Sequence, residues 1–200
     1  MSYSENELPL LLATNLRHYY PDLVLSYQHR LYTFAYRLTG NAQDAEDIVQ
    51  EAFVGAYVSL EHYPPQRIRS LKLRSWLYRV TLNVFSHHAR GTRLHLVPFN
   101  LSEEDQVLTI EDNADERPEA LFEQHERLQE LEMMVASLPE RYRVAIACYY
   151  FEYMNYQEVA DLLDQPIGTV KSTISRGIRL LRNMLKEVEP EGGKQSHGAP

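Results

Sequence analysis

Thr169, Lys171, Ser172, Thr173, Ser175, Arg176 and Arg179 lie within residues 165–186, which hold five basic residues and no acidic one. Lysine and arginine donate to guanine O6 and N7, and serine and threonine reach bases or phosphates, so this pattern suits recognition of a polyanion in a major groove. A second group, Lys72, Arg79, Asn83, Ser86 and Arg90, recurs at spacings of seven, four, three and four, which places it on one face of a helix. Trp76, Tyr78, His87 and His88 adjoin that face. Cations beside aromatic planes are what an unstacked nucleic-acid strand requires. Tyr78 and Asn83 are the expected base contacts, and Trp76 the expected core residue.

A third group lies in Asp44-Ala-Glu-Asp-Ile-Val-Gln-Glu51, where Asp44, Asp47, Gln50 and Glu51 share the side of a helix opposite its apolar stripe. Such a face opposes a basic protein surface. It does not make a metal shell, since no histidine or second carboxylate segment completes the ligand set. His87-His88 lacks the i, i+4 spacing of a zinc pair. The sequence has neither a nucleophile–base motif nor a glycine-rich phosphate loop. The expectation is a binding protein with no catalytic residue, no metal and no cofactor, rather than an enzyme.

The net charge of −8 on 200 residues conceals the distribution that matters. Residues 63–96 carry seven basic and no acidic groups, whereas residues 97–140 carry two basic and 13 acidic groups. Screening confines a field to about 8–10 Å, so a polyanion responds to the local block and not to the total. Surfaces without carboxylates are therefore expected to meet nucleic acid and to stand clear of the chain's own acids. The single cysteine, Cys148, sits on an apolar stripe and suits a reducing cytoplasm. No apolar run approaches the roughly 20 residues of a membrane span, and the first residues do not form a secretory signal. The predicted location is the cytoplasm, without membrane insertion.

The elements that must position these groups are all helical. Leu31, Phe34, Ala35 and Leu38 form the core stripe of a helix over 23–38, which Gly40 ends. Asn41 caps the next helix, which runs to Leu60 with Ala45, Ile48, Val49, Ala52, Phe53 and Ala56 inward. Pro64-Pro65 breaks the chain. A third helix, over 70–90, buries Leu73, Trp76, Leu77, Val80 and Val84. These three share one core over residues 15–95. Residues 96–118 read as an extended acidic linker. Helices follow over 119–136 (Leu121, Leu128, Leu131 and Val135 inward), 140–152, 155–163 and 167–185, the last with Ile167, Val170, Ile174, Leu181 and Leu185 inward. Asn155 and Glu158 form a cap pair, and Asp164-Gln165-Pro166 is the turn of a helix-turn-helix. The fold class is all-α: two small helical domains, 15–95 and 119–186, with a disordered tail over 187–200.

In this order, the three groups resemble the extracytoplasmic-function (ECF) sigma factors of bacterial RNA polymerase, over about residues 20–186. LTGNAQDAEDIVQEAFVGAY is similar to the family's polymerase-docking segment, and RSWLYRVTLNVFSHHARG to its promoter-melting, minus-ten-reading helix. LPERYRVAIACYYFEYMNYQEVADLLDQPIGTVKSTISRGIRLL resembles the region that reads the minus-thirty-five element. The resemblance implies core RNA polymerase and promoter DNA, both duplex and melted non-template strand, as partners. It implies polymerase binding by Asp44, Asp47, Gln50 and Glu51. It places Tyr78, Arg79, Asn83 and Arg90 at the minus-ten strand, and Thr169, Lys171, Ser172, Ser175 and Arg176 at the minus-thirty-five groove. The acidic linker would run in the polymerase channel. The family often pairs with membrane-bound anti-sigma factors, which adds an anti-sigma factor as a candidate partner. The chain departs from the family at His87, where Asp is usual, at Thr173, where Arg often stands, and at Asp164, where Gly is common. Asp164 then needs a left-handed backbone or a differently shaped turn. The rival reading is a stand-alone helix-turn-helix regulator whose N-terminal domain senses a signal or dimerises through a self-complementary face.

Overall fold

The computed structural model describes residues 7–89 and 130–188, and every regular element among them is helical. The first helix, α1 (Glu7–Thr14), buries Leu8 and Leu12 and has no counterpart in the sequence reading. Asn15 separates it from α2 (Leu16–Thr39), whose N-terminus it caps by accepting the His18 N–H at 3.0 Å. The expected stripe Leu31, Phe34, Ala35 and Leu38 is fully buried on α2, which begins earlier than predicted. Gly40 ends that helix at φ +67°, a conformation that needs glycine. Asn41 then caps α3 (Ala42–His62), accepting the N–H groups of Gln43 and Asp44. The apolar stripe of α3 is buried as predicted, from Ala45 to Leu60.

Pro64 and Pro65 interrupt the helix but do not leave a loop. Pro65 opens a short helix, α4 (Pro65–Arg69), at a position where its missing N–H costs nothing. α5 (Leu73–Ala89) buries Leu73, Trp76, Leu77, Tyr78 and Val84 against α2 and α3, while Val80 is half-buried.

The second half begins with α6 (130–136) and α7 (Glu140–Ile146). The helix expected over 140–152 is not uniform. Ala147–Phe151 winds as a π-helical turn, in which the Glu152 N–H reaches back to the Ala147 carbonyl at 3.1 Å. α8 (Tyr156–Leu163) and α9 (Ile167–Val188) follow, with Gly177 at the crossing of α7 and α9. A Cβ on Gly177 would stand 2.6 Å from Ile146 Cδ1 and 3.2 Å from Tyr142 Cβ, so any side chain there would force Ile146 to shift. Val170, Ile174 and Leu181 are inward as predicted, but Ile167, Leu185 and Leu131 are exposed. Ile167 and Leu185 lie near the ends of α9, beyond its crossing with α7, so their apolar period continues past the neighbour that would cover it. Leu121, Leu128, the linker over 96–118 and residues 189–200 of the tail lie outside the described residues.

The two halves meet. Val144, Ala147, Cys148, Val159 and Ile174 belong to the same buried cluster as Phe34, Trp76 and Phe85, and a smaller cluster joins Val135, Leu138, Tyr142, Ile146 and Leu181. The sequence pattern suggests two separate cores; in this conformation their apolar surfaces are continuous.

Candidate nucleic-acid interface

The α8–turn–α9 unit is built from local signals. Asn155 accepts the N–H groups of Gln157 and Glu158, and Glu158 accepts the Asn155 N–H at 2.7 Å, the reciprocal cap expected from the sequence. Asp164 ends α8 at φ 52° and ψ 50°, which is the left-handed alternative of the two geometries open to it. The Gln165 N–H returns to the Ala160 carbonyl at 3.0 Å, and Pro166 accepts the first backbone bonds of α9. Val170 and Ile174 anchor α9 in the core. The other side presents Thr169, Lys171, Ser175, Arg176, Arg179 and Arg182 to solvent. Ser172 is half-buried, and its hydroxyl donates to the Thr169 carbonyl at 2.9 Å. Lys171 Nζ lies 5.4 Å from the centre of the Tyr156 ring, which stacks on Tyr149. The free N-terminal turn of α9, its exposed cations and its hydroxyls thus share one surface, suited to phosphates and base edges.

The α5 face is arranged differently. Lys72, His87 and His88 are exposed, Asn83 and Ser86 are half-buried, and Arg90 lies outside the described residues. Tyr78, expected to face a strand, is fully buried, and its hydroxyl donates to Glu152 Oε2. Arg79 is half-buried and donates to the Asp161 carbonyl, while Arg74 donates to the Glu152 carbonyl. Burial pushes the Tyr78 hydroxyl and the Glu152 carboxyl up; the Tyr78 hydrogen bond, Arg37 and Arg74 pull Glu152 back down in part. Burial likewise lowers Arg79, against the opposing fields of Asp164 and Asp161. The expectation that acid-free surfaces stand clear of the chain's own acids therefore fails at this end of α5. The cause is the helical period itself: the face that carries Tyr78 and Arg79 borders the seam where α8 packs on α5.

Arg37, Arg74, Glu132 and Glu152 were not singled out by the sequence patterns, yet they organise this seam. Arg37 of α2 bridges both acids, with Nε 2.9 Å from Glu132 Oε1 and Nη1 2.9 Å from Glu152 Oε1. One signal was available: Glu152 is the sole acid in the otherwise apolar and aromatic run 144–154.

On α3, Asp44 and Asp47 are half-buried, whereas Gln50 and Glu51 are exposed on the side away from the core. Among the described residues no group of three or more His, Cys, Asp or Glu stands close enough to hold a metal ion. Trp76 and Cys148 are buried, as their positions on apolar stripes suggested.

Residues 23–94 match sigma-70 region 2 and residues 128–181 match sigma-70 region 4. The chain is 31% identical over 172 residues to the ECF RNA polymerase sigma factor SigW of Bacillus subtilis (strain 168), covering 84% of this chain and 90% of that protein. It belongs to the ECF RNA polymerase sigma factors. Two solved structures share the fold. CnrH in complex with the cytosolic domain of CnrY is 20% identical, with a TM-score of 0.63 over 92% of this chain and 99% of that one. The sigma factor RpoE in complex with the anti-sigma factor NepR, from Bartonella quintana, is 21% identical, with a TM-score of 0.57 over 83% and 96%.

Proposed function

We propose that this chain binds core RNA polymerase, directs it to specific promoters and helps to open them. The observation that carries the reading is the exposed, acid-free N-terminal half of α9, set after the left-handed turn at Asp164, in a chain whose two regions match those of sigma factors. In this reading residues 15–95 bind polymerase and the minus-ten element, 96–118 link the domains, and 119–186 read the minus-thirty-five element.

α9 enters the major groove. Lys171 and Arg176 donate to guanines or phosphates, while Thr169, Ser172 and Ser175 supply hydroxyl contacts. Asn83, Tyr78, Arg79 and Arg90 contact the non-template strand once its bases leave the stack. Unstacking costs a few kcal/mol, which those contacts offset. Asp44, Asp47, Gln50 and Glu51 face polymerase, where opposite charge steers association and fixes register. No catalytic residue, metal or cofactor enters this scheme, so the protein is read as a non-enzyme acting in the cytoplasm. No described helix is long and apolar enough to cross a membrane. An anti-sigma factor is a further candidate partner, since the RpoE structure above holds one.

Co-elution with purified core polymerase tests the assignment. Asp47→Lys together with Glu51→Lys should abolish co-elution while leaving the circular dichroism unchanged. Full retention of binding would remove the α3 face from the scheme.

A further inference from the structure

The seam between the halves pairs donors on one side with acceptors on the other. Arg37 of α2 and Tyr78 of α5 approach the two carboxylate oxygens of Glu152, and Arg74 of α5 takes its backbone carbonyl. All three donors come from the first half and all the acceptors from the second. Arg74 Nε is buried with no hydrogen-bond partner, so Glu152 does not use the full donor capacity of the socket. We propose that Arg37, Arg74 and Tyr78 form a phosphodiester-binding socket beside the minus-ten surface, which Glu152 fills in the free chain and which the melted promoter strand takes over when the halves separate.

The chemistry of the two occupants matches. A carboxylate and a phosphodiester each present two equivalent anionic oxygens to a guanidinium fork, and a phosphodiester offers them on a larger group that can engage the idle Arg74 nitrogen. The position fits as well, because Tyr78 precedes Arg79 and lies about one and a half helical turns from Asn83 on the same helix.

Glu152 is delivered to the socket by unusual backbone. The π-helical turn ends at it, and Tyr153 follows at φ 53° with its own side chain 82% exposed. For a bulky residue this is a strained conformation, held where the surroundings over-determine it. The hold on Glu152 is also reversible. Burying the pair costs desolvation that nearly cancels its attraction, and opening returns both partners to water. A filled socket conceals Tyr78 and Arg79 together, so the free chain is self-inhibited for strand binding.

The inference rests on the proposed function, and the test separates the two. The full chain and its Glu152→Ala variant are titrated into a short fluorescent single-stranded oligonucleotide, with X-ray scattering on the same samples. Glu152→Ala should expand the molecule and tighten oligonucleotide binding on the order of tenfold, because the competent population rises. Adding Arg74→Ala should erase the gain in binding but not the expansion. An unexpanded Glu152→Ala or a gain that survives Arg74→Ala would each overturn the socket. Run-off transcription by the wild-type chain reports separately on the proposed function: transcription without these effects rejects the socket alone, and these effects without transcription reject the sigma reading alone.

Discussion

Two residues other than glycine adopt left-handed backbone among the described residues, Asp164 at φ 52° and Tyr153 at φ 53°. They do so on different terms. A short polar side chain tolerates that region and occurs naturally at a helix C-terminus, whereas a tyrosine there carries about 1–2 kcal/mol of strain. Asp164 was partly legible in the sequence, because the family resemblance puts glycine there and so left a left-handed Asp164 or a differently shaped turn as the two options. Tyr153 was not, since its backbone is set by the π-helical turn before it. Tyr153→Gly should therefore raise stability by about 1 kcal/mol in thermal or urea unfolding, and a loss of stability would show that the side chain, not the backbone, dominates there. Arg176 tests specificity at the same scale. Arg176→Ala should weaken binding to a specific promoter by about 1–3 kcal/mol while sparing random DNA, as measured with the polymerase complex. An equal loss on both would make Arg176 a phosphate contact.

At the scale of elements, the helices that bury a regular stripe were readable, because a 3.6-residue period with caps at Asn41 and Asn155 determines both face and start. Three things escaped. α1 is only eight residues long and nearly all apolar on one side of Asn15, too short for a period to register. α4 hides behind two prolines, which mark a break but also favour a first helical turn. The π-helical turn depends on a wider hydrogen-bond ring that no side-chain spacing announces. α8 is the element most dependent on its cap, having only eight residues and both halves of a capping box. Asn155→Ala should cost about 1 kcal/mol, and more of that loss should appear as faster hydrogen exchange in α8 than in α2. Uniform exchange would show that packing on α9, not the cap, holds α8.

Across the whole molecule, the electrostatic plan seen in the sequence survives at α9 and is modified at α5. The acidic linker and the basic blocks were visible as runs, but the meeting of Glu152 with Arg37 and Tyr78 joins residues far apart in the chain. No local pattern encodes that.

The most direct measurement is run-off transcription from genomic fragments with purified core polymerase and this chain. Discrete transcripts should appear that are absent with core polymerase alone, vanish with Asp47→Lys plus Glu51→Lys, and fade with Arg176→Ala. If the chain binds those fragments tightly without polymerase and no transcript forms, it is a stand-alone regulator and the central claim is wrong.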